Sequence, residues 1–164
     1  MREIEISSIK GLLWQKETIS FATAAILCSS NGLNPERFDW LEDKLILSFD
    51  DVEDPRRGQA FGPFDAQTIV AFVENLSPQG KLYFCCDAGE SRSAALAAAF
   101  LRAWTRNDMK IWMNPYFHPN LLVYRIQCMA LGIVVTEEEL ADLKAISDQA
   151  LANAIRKARE EEKT

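Results

Sequence analysis

The residues best suited to do chemistry lie in one short stretch, CDAGESRS, at residues 86–93. Five residues separate Cys86 from Arg92, a glycine lies between them, and a serine follows the arginine. A cysteine thiolate is a nucleophile, and an arginine guanidinium can bind two oxygens of a phosphoryl group at once. The spacing therefore predicts a loop that binds a phosphoryl group and attacks it through the sulfur of Cys86.

The segments on either side would position this loop. Residues 81–85 read as an apolar strand, and residues 94–100, AALAAAF, are strongly helix-forming. The cysteine then stands at a strand end, and the positive end of the helix dipole points at the loop. Backbone N–H groups can converge there into an anion-binding nest, which would also favour the thiolate. The groups expected to bind phosphate are those of Asp87, Ala88, Gly89, Glu90, Ser91 and Arg92.

The side chains within the loop are expected to differ in role. Gly89 permits the tight wrap of the backbone. Ser91 is expected to cap the helix, and Ser93 to face the sulfur and donate a hydrogen bond to it. Asp87 and Glu90 are expected to point outward, so that only their backbone contributes to binding.

The pattern Cys86-x5-Arg92-Ser93, with Gly89 at its centre, resembles the signature of the protein tyrosine phosphatase superfamily. Its short SRS ending is similar to that of the compact dual-specificity type and its bacterial and phage-like relatives. The resemblance implies a phosphocysteine intermediate at Cys86, phosphate binding by the loop backbone and Arg92, and a Ser93 that eases departure of the sulfur. It also implies a central sheet flanked by helices, no metal and no cofactor, and it loosely covers residues 24–132.

The residue before the nucleophile departs from the family pattern, because Cys85 stands where the family usually has histidine. Two interpretations remain open. Cys85 is either a small core residue, as free cysteine often is, or a partner that protects Cys86 during oxidation through a strained sulfur species.

A general acid must protonate the leaving oxygen, and in the family it is an aspartate on a loop upstream of the cysteine. Three aspartates, Asp50, Asp51 and Asp54, follow the predicted strand at residues 45–49. Asp51 is the preferred acid because it lies where compact family members carry theirs, and Asp54 is the second choice. The alternative is that this acidic segment is only a solvated turn.

Strand and helix signals alternate along the chain, which predicts an α/β fold with a central, mostly parallel sheet flanked by helices. Ligands bind beyond the carboxyl ends of the strands in such sheets. A single domain over residues 1–164 is expected, with a frayed tail at 156–164. Residues 106–118 read as irregular. The predicted strands are 3–6, 11–15, 24–28, 45–49 and 81–85, and the predicted helices are 64–76, 91–105, 120–129 and one starting at Thr136.

Composition narrows the possible partners. The net charge of −6 and pI of 4.9 argue against nucleic acid, and no apolar run approaches the roughly 18 residues of a membrane helix. The first residues carry no signal-peptide core, so a cytoplasmic location is expected. One histidine, His118, leaves little room for metal or histidine-based rival mechanisms.

The preferred hypothesis is a metal-independent cysteine phosphatase that hydrolyses phosphotyrosine, with phosphoserine and phosphothreonine as further substrates. The substrate would be a phosphorylated protein or a small phosphomonoester. The alternative is a catalytically weak or inactive module that binds phosphate or phosphoproteins. Sulfur transfer and arsenate reduction rank lower, because their loops usually have a different length or position.

Overall fold

A parallel four-stranded sheet forms the centre of the molecule. The computed structural model describes residues 2–19 and 23–162. The order across the sheet is β1-β4-β2-β3, and each neighbouring pair is parallel, so the expected α/β class with a mostly parallel sheet is confirmed. The strands are β1 (Glu3–Ser8), β2 (Thr23–Ser29), β3 (Asp43–Ser48) and β4 (Lys81–Cys86).

The two inner strands, β2 and β4, are buried along almost their whole length. Their sequences, TAAILCS and KLYFCC, are continuous apolar runs rather than alternating ones, as expected for parallel strands covered on both faces. Because β4 pairs with both β1 and β2, its last residue, Cys86, lies between the carboxyl ends of two neighbouring strands. The sheet thus positions the cysteine at the edge where ligands usually bind.

Helices cover both faces of the sheet. On one face, α3 and α5 pack over a core that contains Phe84, Phe100 and Trp112. On the opposite face, a second core contains Leu12 and Phe38. The helices are α1 (Ile9–Trp14), α2 (Pro63–Glu74), α3 (Arg92–Thr105), α4 (Met109–Trp112), α5 (Leu121–Ala130) and α6 (Glu137–Glu161), with a 3-10 turn at Pro35–Phe38.

Helix α3 begins at the phosphate-binding loop and runs through the larger core. Its first three turns are buried, and the alanines at 94, 95 and 97–99 are fully inaccessible. Small side chains let the helix approach the sheet closely without gaps. The position of Arg92 at the start of α3 is therefore fixed by core packing rather than by a loop alone.

Two assignments from the sequence are wrong. The strand expected at residues 11–15 is instead the end of α1 and its C-cap residue, Gln15. The side chain of Ser8 accepts a hydrogen bond from the Gly11 N–H and caps the start of this helix. Residues 106–118, expected to be irregular, contain α4. The other predicted strands and helices are confirmed, and Thr136 caps α6 as expected.

Within the described residues, no helix is both long enough and apolar enough to cross a membrane. Helix α6 is assigned as far as Glu161, so residues 156–161 are helical.

Candidate active site

The backbone of Gly89, in the loop at residues 87–91, and the side chain of Ser93 both contact the sulfur of Cys86. The Gly89 N–H donates to Sγ at 3.3 Å, and the Ser93 hydroxyl lies 3.1 Å from the same atom. Cys86 is the last residue of β4, and Ser93 lies in the first turn of α3. Hydrogen-bond donors at these positions can stabilise the negative charge that develops on the sulfur when it acts as a nucleophile or as a leaving group. The expected inward position of Ser93 agrees with this contact.

Gly89 is required by both its backbone conformation and its surroundings. Its φ is +77°, and a Cβ there would lie 2.4 Å from the backbone nitrogen of Ser8 and 2.6 Å from the carbonyl carbon of Ser7. The loop therefore packs directly against the carboxyl end of β1. This seating turns the Gly89 N–H toward the sulfur.

The guanidinium of Arg92 is almost completely buried, with a residue exposure of 4%, and is held by three elements. Its Nη1 donates to the Phe49 carbonyl at 2.8 Å, just after β3, and to Ser30 Oγ at 3.1 Å, just after β2. Its Nη2 donates to Asp87 Oδ2 at 2.7 Å. Nε has no hydrogen-bond partner among the residues that the structure describes.

Counting donors shows what Arg92 can still bind. A guanidinium carries five N–H bonds, and three are directed at Ser30, Phe49 and Asp87. The Nε–H and one N–H of Nη2 remain. These nitrogens lie on one edge of the guanidinium, an arrangement that suits bidentate binding of two phosphoryl oxygens, although Nε is inaccessible to solvent in this structure.

The carboxylate of Asp87 was expected to point outward, but it is bonded to two side chains of the site, Ser29 and Arg92. Its side chain is 47% exposed, yet both oxygens are bonded. Oδ1 accepts from Ser29 Oγ at 2.8 Å, and Oδ2 accepts from Arg92. Partial burial would raise the pKa of Asp87, but the hydrogen bonds from Arg92 and Ser29 outweigh it and hold that pKa below its usual value.

The three candidate acids occupy different positions, and Asp51 is the one bonded to the phosphate-binding loop. Its Oδ1 accepts from Ser91 Oγ at 2.8 Å and from Asn120 Nδ2 at 2.7 Å. Asp50 instead accepts from the Gln59 N–H within its own loop.

Asp54 pairs with the guanidinium of Arg56, 2.9 Å away, and lies 3.9 Å from that of Arg57. The hydrogen bonds from Arg56 lower the pKa of Asp54. A group that is harder to protonate is less suited to be a general acid.

Asn120 joins the acidic loop to the helical side of the site. Besides bonding Asp51, its Nδ2 donates to the Val52 carbonyl at 3.2 Å, and its Oδ1 accepts from the Val123 N–H and so caps α5. The sequence marked this residue only as a helix start. Its contact with Asp51 spans 69 positions, so local pattern could not reveal it.

The edges of the loop also differ from expectation. Ser91 is the N-cap residue of α3, but its hydroxyl donates to Asp51 instead of capping the helix. Glu90 is exposed, and its backbone carbonyl accepts from the N–H of His118 at 2.9 Å. Ala88 is exposed as well. His118 therefore supports the loop through its backbone.

The remaining cysteines lie on both faces of the sheet. Cys85 is fully buried with Ala25 in the smaller core, opposite Cys86, and burial strongly raises the pKa of Cys85. This surrounding agrees with a core role for Cys85. Cys28 is in register with Cys86 and belongs to the same core. Burial, followed by the charge of Cys86, raises the pKa of Cys28, which keeps it a thiol.

Among residues 2–19 and 23–162, no group of three or more histidine, cysteine, aspartate or glutamate side chains could hold a metal ion.

Comparison with known proteins adds structural neighbours. No protein-family model and no curated protein sequence matches the chain. Solved structures similar to it include the Yvh1 phosphatase domain from Chaetomium thermophilum, at 17% identity and a TM-score of 0.47, covering 91% of this chain and 92% of that one. PTPMT1 in complex with PI(5)P is 16% identical, with a TM-score of 0.44 and coverage of 94% and 97%. Because these TM-scores lie below 0.5, the likeness carries no inference about activity or substrate.

Proposed function

We propose that the protein is a cysteine phosphatase that hydrolyses phosphomonoesters through a phosphocysteine at Cys86. The observation that carries this proposal is the convergence on one sulfur of the Gly89 N–H and the Ser93 hydroxyl, with Arg92 held beside them. A cysteine that served only in packing would not need charge-stabilising donors.

In the first step the thiolate of Cys86 attacks phosphorus. An S–P bond forms as the bond from phosphorus to the ester oxygen breaks. The free N–H groups of Arg92 and of the loop backbone bind the phosphoryl oxygens. These hydrogen bonds become stronger as negative charge develops on the oxygens in the transition state. Asp51 gives its proton to the leaving oxygen, so the product departs as a neutral alcohol or phenol.

In the second step water attacks the phosphocysteine. Asp51, now a carboxylate, takes a proton from that water as the new P–O bond forms and the S–P bond breaks. Ser93 donates a hydrogen bond to the departing sulfur, which regenerates the thiolate. The hydrogen bonds that Asp51 Oδ1 accepts from Ser91 and Asn120 support this role, because they hold the side chain beside the phosphate-binding loop.

Phosphotyrosine is the proposed substrate, with phosphoserine and phosphothreonine as further ones, carried on a phosphorylated protein or a small molecule. This choice rests on the sequence resemblance. The reaction is proposed to need no metal and to take place in the cytoplasm.

Hydrolysis of an aryl phosphate in the presence of a chelator tests the proposal. We expect turnover in the wild type and a loss of at least about a hundredfold in Cys86→Ser and Arg92→Ala, since each removes a group that acts in the transition state. Asp39→Ala, which removes a surface ion pair with Lys44, is the control and should keep full activity. Turnover that requires added metal would contradict the mechanism.

Binding without turnover is the second candidate function. The ion pair of Asp87 with Arg92 favours it, because a carboxylate next to the guanidinium already neutralises part of the positive charge that would stabilise the transition state. Tight binding of a phosphopeptide by the wild type, with no hydrolysis between pH 4 and about pH 8, would support this alternative.

A further inference from the structure

We propose that Asp87 is a positioning residue that fixes the guanidinium of Arg92 for phosphate binding, with Ser29 as its anchor on β2. The inference rests on the proposed function, because it assigns a role within the same site. It concerns a side chain that the sequence pattern treats as a variable position of the loop.

The contacts form a chain from the sheet to the arginine. Ser29, the last residue of β2, donates its hydroxyl to Asp87 Oδ1 at 2.8 Å, and Asp87 Oδ2 accepts from Arg92 Nη2 at 2.7 Å. Ser29 is nearly inaccessible, with an exposure of 3%, and its backbone carbonyl also accepts from the Phe49 N–H. The anchor is therefore part of the sheet and does not move with the loop.

This chain completes a three-sided hold on the arginine. The Phe49 carbonyl and Ser30 Oγ both accept from Nη1, so they restrain the guanidinium at one end only. Asp87 fixes the second terminal nitrogen and thereby the plane of the guanidinium. The orientation of Nε–H, which has no partner in residues 2–19 and 23–162, follows from that plane.

The alternative role for Asp87 is a counter-ion that competes with the phosphoryl group for Arg92. The two roles predict opposite effects. If Asp87 positions Arg92, its removal lowers phosphate affinity and kcat. If Asp87 competes, its removal raises affinity, because a dianion no longer displaces a carboxylate.

Asp87→Ala and Asp87→Asn separate geometry from charge. Asparagine can still accept from Arg92 through its oxygen, and its amide can donate to the Ser29 hydroxyl. We expect Asp87→Asn to keep kcat for an aryl phosphate within about threefold, and Asp87→Ala to lose about ten- to a hundredfold, since a displacement on the order of 1 Å can cost a hundredfold. Higher kcat/KM in both variants would overturn the proposal.

A double-mutant cycle tests the anchor. Ser29→Ala should lower kcat severalfold in the wild type and have no further effect in Asp87→Ala, because the two residues act as one unit. Additive losses would contradict the anchor. Thermal unfolding of each variant, compared with the control Asp39→Ala, corrects the rates for the folded fraction; losses that vanish after this correction would show a role in folding alone and overturn the proposal.

Calorimetric binding of inorganic phosphate separates this inference from the proposed function. If the wild type hydrolyses nothing, the phosphatase proposal fails. The positioning role still predicts that Asp87→Ala binds phosphate about tenfold more weakly than the wild type and Asp87→Asn does not. Equal affinity in all three proteins would overturn the positioning role, even if the enzyme is active.

Discussion

Replacing Gly89 with alanine tests how tightly the loop is seated against β1. The new Cβ would lie 2.4 Å from the backbone nitrogen of Ser8, whereas ordinary contacts begin at 3.4 Å, so loop and strand must separate by about 1 Å. Neither side of this contact is a flexible side chain. The residue would also adopt a φ of +77°, which costs an L-residue about 1–2 kcal/mol.

A shift of this size moves the Gly89 N–H away from the Cys86 sulfur. A displacement of about 1 Å in a catalytic group can reduce activity about a hundredfold, equivalent to about 2.7 kcal/mol in the barrier. We therefore expect kcat/KM for an aryl phosphate to fall by about that factor. The free energy of unfolding should fall as well, by the cost of the positive φ and by roughly a further 1–3 kcal/mol for the steric overlap of the new Cβ with β1.

Gly132→Ala is the matched control. Its φ is +76°, almost the same as that of Gly89, but no atom of the described part of the chain lies within 4 Å of the added Cβ. It should lose only about 1 kcal/mol of unfolding free energy and no activity. Urea unfolding and steady-state kinetics of the two variants give the comparison. The reasoning is refuted if Gly89→Ala keeps more than a third of wild-type kcat/KM, or if it is no less stable than Gly132→Ala.

Three further predictions concern the general acid, the carboxylate of the phosphate-binding loop and the core. Asp51→Asn should reduce kcat by about 10²–10⁴, whereas Asp54→Asn should keep kcat within about threefold of the wild type. The loss in Asp51→Asn should be larger for an alkyl phosphate than for p-nitrophenyl phosphate, because the poorer leaving group depends more on protonation. The reverse ranking of the two variants would identify Asp54 as the acid. Folding lowers the pKa of Asp87, so the ionised carboxylate stabilises the folded protein above the unfolded-state pKa of about 4. The difference in unfolding free energy between the wild type and Asp87→Asn should therefore disappear as the pH falls below that value. A difference that does not change with pH in urea unfolding experiments would contradict this prediction. Asp108→Ala removes the carboxylate that accepts hydrogen bonds from the buried indole of Trp112 and the buried hydroxyl of Tyr124. It should lower the free energy of unfolding by about 2–5 kcal/mol in the same assay, and Asp108→Asn should lower it less. Equal losses in the two variants would show that these hydrogen bonds contribute nothing to stability.

The part of the site that the sequence predicted is local. The contacts of the Cys86 sulfur with Gly89 and Ser93 span at most seven positions, and a strand followed by a helix fixes such a segment almost alone. The glycine could be placed because only one residue type suits the turn. The strands β2, β3 and β4 could be found because their apolar runs are long enough to be unambiguous.

The part that the sequence did not predict depends on contacts between distant segments. Ser29, Ser30 and Asn120 reach the site only because the order of the strands places their segments beside the loop. Asp87 was expected to face solvent, since nothing near it in sequence shows that Arg92 would turn back to it. Residues 11–15 were misassigned because one short apolar segment fits a strand and a helix equally well.

The central claim is that Cys86 carries the phosphoryl group during turnover. Mass spectrometry of protein quenched in acid during hydrolysis of an aryl phosphate tests this most directly, with Ser93→Ala included to slow breakdown of the intermediate. We predict one added phosphoryl group on the peptide that contains Cys86, assigned by fragmentation to Cys86 and not Cys85, and more of it in Ser93→Ala than in the wild type. A phosphoryl group on any other side chain, or turnover at the wild-type rate by Cys86→Ser, would contradict the account.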